Sequence, residues 1–167
     1  PTPSSAASDV YKRQGLQLKS LTLTARDKIC FKPNGGTRCD TEQCPFAIGY
    51  FDRINDALQD AFEHDAFTRP LIEEYAQKHQ VCPFEFSLEL SVWSDLIICD
   101  YNYVFDPRAH LKRFFEEEGG QYAFLVDEAH NLVDRAREMF SADLYKSEII
   151  GVRRLVAKEQ PSLGKLL

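Results

Sequence analysis

The sequence predicts an α/β fold built on a mostly parallel sheet, and two observations carry that expectation. Short apolar runs bounded by turn residues or acids recur at residues 16–24, 95–100 and 122–126. Between them lie stretches whose apolar residues return every three or four positions, the helical period. Strands separated by helices favour parallel pairing, because a parallel neighbour is reached only through a crossover.

The chain has 167 residues, 44% hydrophobic and 28% charged, enough for one ordinary core. No run approaches the length of a membrane span, nothing reads as a secretory leader, and no membrane partner is expected. With a net charge of −6, the chain does not hold nucleic acid by bulk basicity, so any such contact must be local. Five unevenly spaced cysteines without a leader argue for reduced thiols and metal binding rather than disulfides.

Residues 1–14 are rich in Ser, Ala and Pro and lack apolar periodicity. Their end, Asp9-Val-Tyr-Lys-Arg-Gln14, reads as an in-frame translation of a transposase sequencing adapter, so the segment is expected to be non-native. The C-terminal Gly164-Lys-Leu-Leu167 has no stop-like character, and the chain is expected to be an internal piece of a larger protein.

Residues 16–24 alternate apolar and polar, as a half-buried strand does. A loop follows from Phe31 to Glu42, with Pro33-Asn-Gly-Gly36 inside it. From Pro45 the pattern turns helical, with Phe51, Ile54, Leu58 and Phe62 on the apolar face. Thr68 is the expected N-cap of a second helix, which buries Leu71, Ile72, Tyr75 and Ala76 and ends near Gln80. A third begins at Pro83 and carries Phe84, Leu88 and Val92 inward. The run at 95–100 reads as a buried strand that includes Cys99, residues 101–107 as a turn or short helix, and residues 109–117 as a charged helix. The Gly119-Gly120 turn leads to the apolar run 122–126, a third buried strand; helices are expected over 131–140 and in 141–167. The helical stretch between Cys44 and Trp93 has the character of an insertion into the sheet.

Cys30, Cys39, Cys44 and Cys82 fall in or beside that insertion, with eight, four and thirty-seven residues between them. Cys44 and Cys82 each precede proline, which favours the first position of a helix. Each is therefore expected at an N-cap, where the backbone amides and the positive end of the dipole favour a thiolate. Four thiolates suit Zn²⁺ or an iron–sulfur cluster equally on spacing. Cys99, inside an apolar run, reads as a buried thiol. Between Arg26 and Arg38 four basic residues (Arg26, Lys28, Lys32, Arg38) face one acid, Asp27, giving a local net of +3 that could touch phosphates. Phe31, Tyr50 and Phe51 could stack on bases but read first as core or cover for the cysteines.

The third apolar run ends in Asp127-Glu128-Ala129-His130. Two adjacent carboxylates at the end of a buried strand are costly without a positive charge, most simply a metal ion. In ATPases one such acid holds Mg²⁺ through its water shell and the next positions the attacking water. The pattern resembles the Walker B motif, motif II, of superfamily 2 helicases.

Four landmarks stand in order: Thr24-Ala-Arg-Asp-Lys-Ile-Cys30, the further cysteines with Cys82-Pro-Phe-Glu85, the segment 94–107 with its Asn-Tyr and Asp-Pro, and Phe124-Leu-Val-Asp-Glu-Ala-His-Asn131. Together they resemble the iron–sulfur family of superfamily 2 DNA helicases, the XPD/DinG-like group. That resemblance implies a RecA-like motor domain over residues 15–29 and 94–140, a cluster insertion over 30–93, and the start of a helical arch domain over 141–167. It implies a [4Fe–4S] cluster on Cys30, Cys39, Cys44 and Cys82, and ATP with Mg²⁺ as the fuel. It further implies 5′ to 3′ translocation on single-stranded DNA, action on forked duplexes, and a bacterial cytoplasmic setting. Asp127 would be the Mg²⁺-linked acid, Glu128 the residue orienting water, and His130 the link between nucleotide and DNA. Arg26 matches a basic position near the cluster and the DNA path.

One departure is plain: no G-x-x-x-x-G-K-[ST] is present, so the phosphate-cradling half of a nucleotide site is absent from this chain. The chain alone is expected neither to hydrolyse ATP nor to unwind DNA. Cys30–Cys39–Cys44 are also closer together than the XPD branch would have them. The competing expectation is a zinc-stapled Cys₄ nucleic-acid-binding module without a motor. A nuclease would need further acids besides Asp127 and Glu128, and no such cluster stands out.

Overall fold

A computed structural model describes residues 18–32, 39–107, 111, 115 and 120–159. The chain divides into two units, residues 1–104 with 111–120, and residues 105–110 with 121–167.

Unit 1 is α/β. Strand β1 (Ser20–Thr22) lies between β2 (Ala66–Phe67) and β3 (Leu96–Ile98), and both pairings are parallel. Leu21 faces Phe67 on one side and Ile97 on the other, and both Leu21 and Phe67 are fully buried. Helices make the crossovers: α1 (Arg26–Ile29) and α2 (Tyr50–Ala61) between β1 and β2, then α3 (Arg69–His79) and α4 (Pro83–Val92) between β2 and β3. The short α5 (Asn102–Phe105) follows β3, in keeping with the expected turn or short helix.

Helix α4 is the hub. It touches β1, α1, α2 and α3, and it buries Pro83, Phe84, Phe86, Ser87, Leu90 and Ser91 along one broad face. The two serines fit within that buried face because their hydroxyls donate to Phe84 O and Leu88 O, each at 2.6 Å. Each large side chain buried there contributes on the order of 1.5–3 kcal/mol. Val92, expected inward, instead points to solvent, and Leu88 is half-buried. The serines take the places next to the neighbouring elements, where a small side chain allows close approach.

Helix α2 differs from the expected one in its start and in the place of Phe51. Residues 45–49 form a turn, and the helix opens at Tyr50 behind Gly49, whose φ of 65° is left-handed. The carbonyls of Pro45 and Ile48 accept from Arg53 rather than from a helical amide. The buried stripe is Tyr50, Ile54, Ala57 and Ala61, spaced four, three and four. Phe51, expected in the core, lies one residue off that stripe and is 84% exposed. Helix α3 runs as expected, with Ile72 and Ala76 fully buried, and Thr68 holds the N-cap position without a side-chain capping bond. Gln80 closes it in a left-handed conformation.

The two-residue β2 went unseen in the sequence, and it places part of the expected insertion on the sheet. Helices α2, α3 and α4 share one core with β1.

In unit 2, residues 122–126 form no strand, contrary to expectation, and Leu125 is 88% exposed. A five-residue apolar run needs cover on both faces to be a strand, and within unit 2 none of the described residues 121–158 is buried. A 3₁₀ turn (Ala129–Asn131), α6 (Leu132–Phe140) and α7 (Lys146–Glu159) follow, matching the expected helices within the described residues. The expected helix at 109–117 lies almost wholly outside the described residues, as do residues 1–14. Among the described residues no helix is long and apolar enough to cross a membrane.

Candidate functional site

In unit 1 the candidate residues lie on the crossovers that link the strands. Chain leaving β1 turns at Ala25, whose carbonyl accepts from Lys28 N and Ile29 N, and enters α1. Ile29 is 1% exposed and anchors the helix, which leaves Arg26, Asp27 and Lys28 in solvent. Cys30 caps α1, its amide bonded to Arg26 O at 3.0 Å.

Three cysteine-bearing arms are tied together in pairs. The Arg26 guanidinium lies over the Phe84 ring at 4.8 Å, joining the segment before Cys30 to the first turn after Cys82. The Phe31 and Phe46 rings meet at 5.0 Å, joining the residue after Cys30 to the turn after Cys44. Arg53 bridges the carbonyls of Pro45 and Gln80, joining the Cys44 arm to the Cys82 arm. Asp40 Oδ1 accepts from Glu42 N (3.0 Å) and Gln43 N (3.3 Å), shaping the short turn between Cys39 and Cys44.

None of the five cysteines is in a disulfide; Cys39 is exposed, Cys44 is 7% exposed, and Cys30, Cys82 and Cys99 are half-buried. Cys82 is the N-cap of α4, with Pro83 at the first helical position, as the Cys-Pro pair predicts. Its thiol is nevertheless pushed up by burial; the Glu85 and Phe84 amides, next in size, oppose this, and the charges of Glu85 and Cys30 add to the rise by less. The expected depression at the helix N-terminus therefore loses to desolvation. Cys44 is not an N-cap: five turn residues separate it from α2. Burial pushes Cys99 up to about 11, which fits a thiol that stays protonated.

The donor set fits a four-sulfur group in kind, with four reduced thiols on arms held side by side. Among the described residues, however, no three His, Cys, Asp or Glu stand close enough to hold a metal ion.

Of the expected basic patch, Arg26 and Lys28 are exposed, Lys32 is half-buried, and Arg38 lies outside the described residues. Sequence reasoning missed Arg69, whose Nη2 donates to Lys28 O at 2.7 Å while its Nε pairs with Glu73 at 2.7 Å. It also missed Arg53. Both act through main-chain carbonyls, which no motif announces. Tyr50 is core; Phe51, in solvent, is not.

In unit 2, Asp127, Glu128 and His130 are exposed on one turn. Asp127 Oδ1 accepts from Glu128 N at 2.8 Å, and His130 Nδ1 lies 3.3 Å from Glu128 Oε2. Glu128 is left-handed (φ 49°), a conformation uncommon for a residue with a Cβ and often found where function requires it.

A parallel α/β unit with a cysteine-bearing helical crossover, followed by an Asp-Glu-Ala-His turn, defines a narrow class. The chain belongs to the DEAD_2 family, the XPD/DinG-like helicase group, whose model matches residues 6–149. The match begins inside the segment read as non-native. The chain is 33% identical over 100 residues to the Fanconi anemia group J protein homolog of Gallus gallus, covering 58% of this chain and 8% of that protein. It is 26% identical over 160 residues to the regulator of telomere elongation helicase 1 homolog of Anopheles gambiae, covering 87% of this chain and 16% of that protein. The Culex quinquefasciatus homolog of the latter is 27% identical over 144 residues, 79% of this chain and 14% of that protein. The chain thus spans only 8% to 16% of the length of these relatives. All three come from animals, so the expected bacterial setting finds no support in them.

Proposed function

We propose that this chain is part of the motor of an ATP-dependent DNA helicase, carrying a [4Fe–4S] cluster on Cys30, Cys39, Cys44 and Cys82. The observation that supports the cluster most is the pairwise tying of three cysteine arms, through Arg26–Phe84, Phe31–Phe46 and Arg53. A bound cluster supplies a covalent staple to a loop-rich crossover. The protein's part is to present thiols from both ends of α2 and α3 and to shield them with Phe31, Phe46 and Phe84.

In unit 2, Asp127 would be the acid that holds Mg²⁺, Glu128 would orient the attacking water, and His130, beside Glu128, would link the nucleotide site to DNA; the metal would supply charge neutralisation on the phosphates. The phosphate cradle comes from outside this chain. Arg26, Lys28, Lys32 and Arg38 guide the phosphates of single-stranded DNA past the cluster, in the 5′ to 3′ sense and at forked duplexes. Residues 30–93 are the cluster domain, 15–29 and 94–140 belong to the RecA-like motor, and 141–167 begin the arch.

The test is anaerobic purification of the 167-residue chain, with its visible spectrum and its iron, sulfide and zinc content. A brown protein with about four iron and four sulfide per chain, both lost on Cys82→Ser, is the expected result. A colourless, air-stable protein holding one zinc would overturn the cluster and leave a zinc-stapled binding module in its place.

A further inference from the structure

Two of the three ties between the cysteine arms are contacts on an aromatic ring. The third is polar and converges on Arg53, in the first turn of α2. Its Nη2 donates to Ile48 O at 2.6 Å, Gln80 O at 2.8 Å and Pro45 O at 3.3 Å, and its Nε donates to His79 O at 3.1 Å. Pro45 directly follows Cys44, and Gln80 stands two residues before Cys82. One guanidinium therefore spans both segments from which these cysteines emerge.

Only arginine suits the task. Its planar fork of donors can serve several carbonyls at once, whereas lysine offers a single point. His79 and Gln80 lie at the C-terminal end of α3, where carbonyls lack helical partners and the dipole favours a cation. Gly49 makes room for the fork: a Cβ there would lie 2.7 Å from Arg53 Nη1. The left-handed glycine thus serves the backbone and the clamp together.

The geometry points to Arg53 as a positioning residue that ties the segments bearing Cys44 and Cys82 to each other, so that the spacing of these two arms is limited before any cluster draws the four thiols together. This rests on the cluster reading above and adds the part of the protein that holds two of the ligands in register. Arg53 acts through main-chain carbonyls and is not itself a ligand.

The test compares the 167-residue chain with its Arg53→Met, Arg53→Lys and Gly49→Ala variants. Ile72→Val, a buried substitution in α3, serves as a control for stability alone. One readout is the rate at which an iron chelator bleaches the loaded chain. The other uses the metal-free chain: the yield of a Cys44–Cys82 cross-link formed by a bifunctional maleimide and mapped by mass spectrometry. Arg53→Met and Gly49→Ala are expected to lose the cluster roughly tenfold faster, the factor carried by one hydrogen bond to a charged group. Their cross-link yield also changes, Arg53→Lys falls between them and the parent, and Ile72→Val lowers Tm while matching the parent on both readouts. The inference is overturned if Arg53→Met matches the parent on both, or if Ile72→Val moves them as far. Should Arg53→Met fail to fold, Arg53→Lys decides on the same two readouts. A parent without iron whose cross-link still changes in Arg53→Met would keep the clamp and sink the cluster reading.

Discussion

The two units use their apolar residues in opposite ways. In unit 1, side chains from β1, β2 and four helices interlock so that Leu21, Phe67, Ile72, Val81, Phe86 and Leu90 are fully removed from water. In unit 2, no described residue from 121 to 158 is buried, and Leu125, Phe140, Leu144 and Leu155 lie in solvent. Helix α6 is as amphipathic as α2 in its pattern, yet only α2 has a described face to bury against. An apolar pattern encodes a demand for cover. Whether the demand is met depends on what else is folded beside it.

The largest expected effect separates the units by stability. Phe86→Ala removes a fully buried ring from the hub helix and is expected to cost about 3–5 kcal/mol. Leu155→Ala, at a side chain 68% exposed, is expected to stay within about 0.5 kcal/mol. Urea unfolding followed by Trp93, the chain's one tryptophan, reports unit 1 through its ring contact with Phe62 at 5.4 Å. Comparable losses for the two variants would mean that the exposed face of α7 is covered in solution.

The same contrast decides what was legible in the sequence. Helix α3 could be read, since Leu71, Ile72, Tyr75 and Ala76 repeat at the helical period and Thr68 stands at the N-cap position. Cys82 at an N-cap followed from Cys-Pro; Cys44 did not, because a left-handed Gly49 postpones the helix, and a glycine does not say whether it will use its freedom. On α2, Ile54, Leu58 and Phe62 meet the core as expected and Phe51 alone does not; Tyr50, Ala57 and Ala61 complete the buried stripe, the two alanines being small enough for close packing but neutral in pattern. Two residues of β2 are too few to show a period. The strand expected at 122–126 failed for a deeper reason: its signal describes burial on two faces, and burial is a property of neighbours. At the candidate site, cysteines and acids announce themselves by type, whereas Arg53 and Arg69 bind carbonyls that every residue possesses.

Glu128→Gln sharpens the comparison from the side of chemistry. The residue is exposed, so unfolding of the 167-residue chain is expected to change little. On the proposed helicase reading, in a longer protein that supplies the phosphate cradle, the same change is expected to lower DNA-stimulated ATP hydrolysis by at least about 100-fold while nucleotide still binds. Residues of unit 1 would then matter first for stability and those of unit 2 first for turnover. Full hydrolysis by Glu128→Gln, or DNA-stimulated ATPase from the 167-residue chain itself, would remove the role given to this motif.

The smallest effect lies on the surface of unit 1, between α2 and α3. Asp60 Oδ2 accepts from Lys78 Nζ and from His79 Nε2, the latter at 2.8 Å. Lys78 first, then His79, holds the Asp60 carboxyl below its ordinary value of 3.8. Because the folded pKa is the lower one, the contact's contribution is fully present above the ordinary carboxylate range and is lost as pH falls through the folded value. Asp60→Asn is therefore expected to lower Tm by of order one degree at neutral pH, as a solvent-screened pair does. The gap between parent and variant should hold steady from pH 7 down to about 5 and close below 3.8, the ordinary value of this carboxyl. Added salt should narrow it at neutral pH, because the pair is exposed to screening. A gap that persists unchanged in acid would assign the loss to the shape of the side chain rather than its charge, and the α2–α3 contact would then rest on Ile54, Ala57 and Ile72 beneath it.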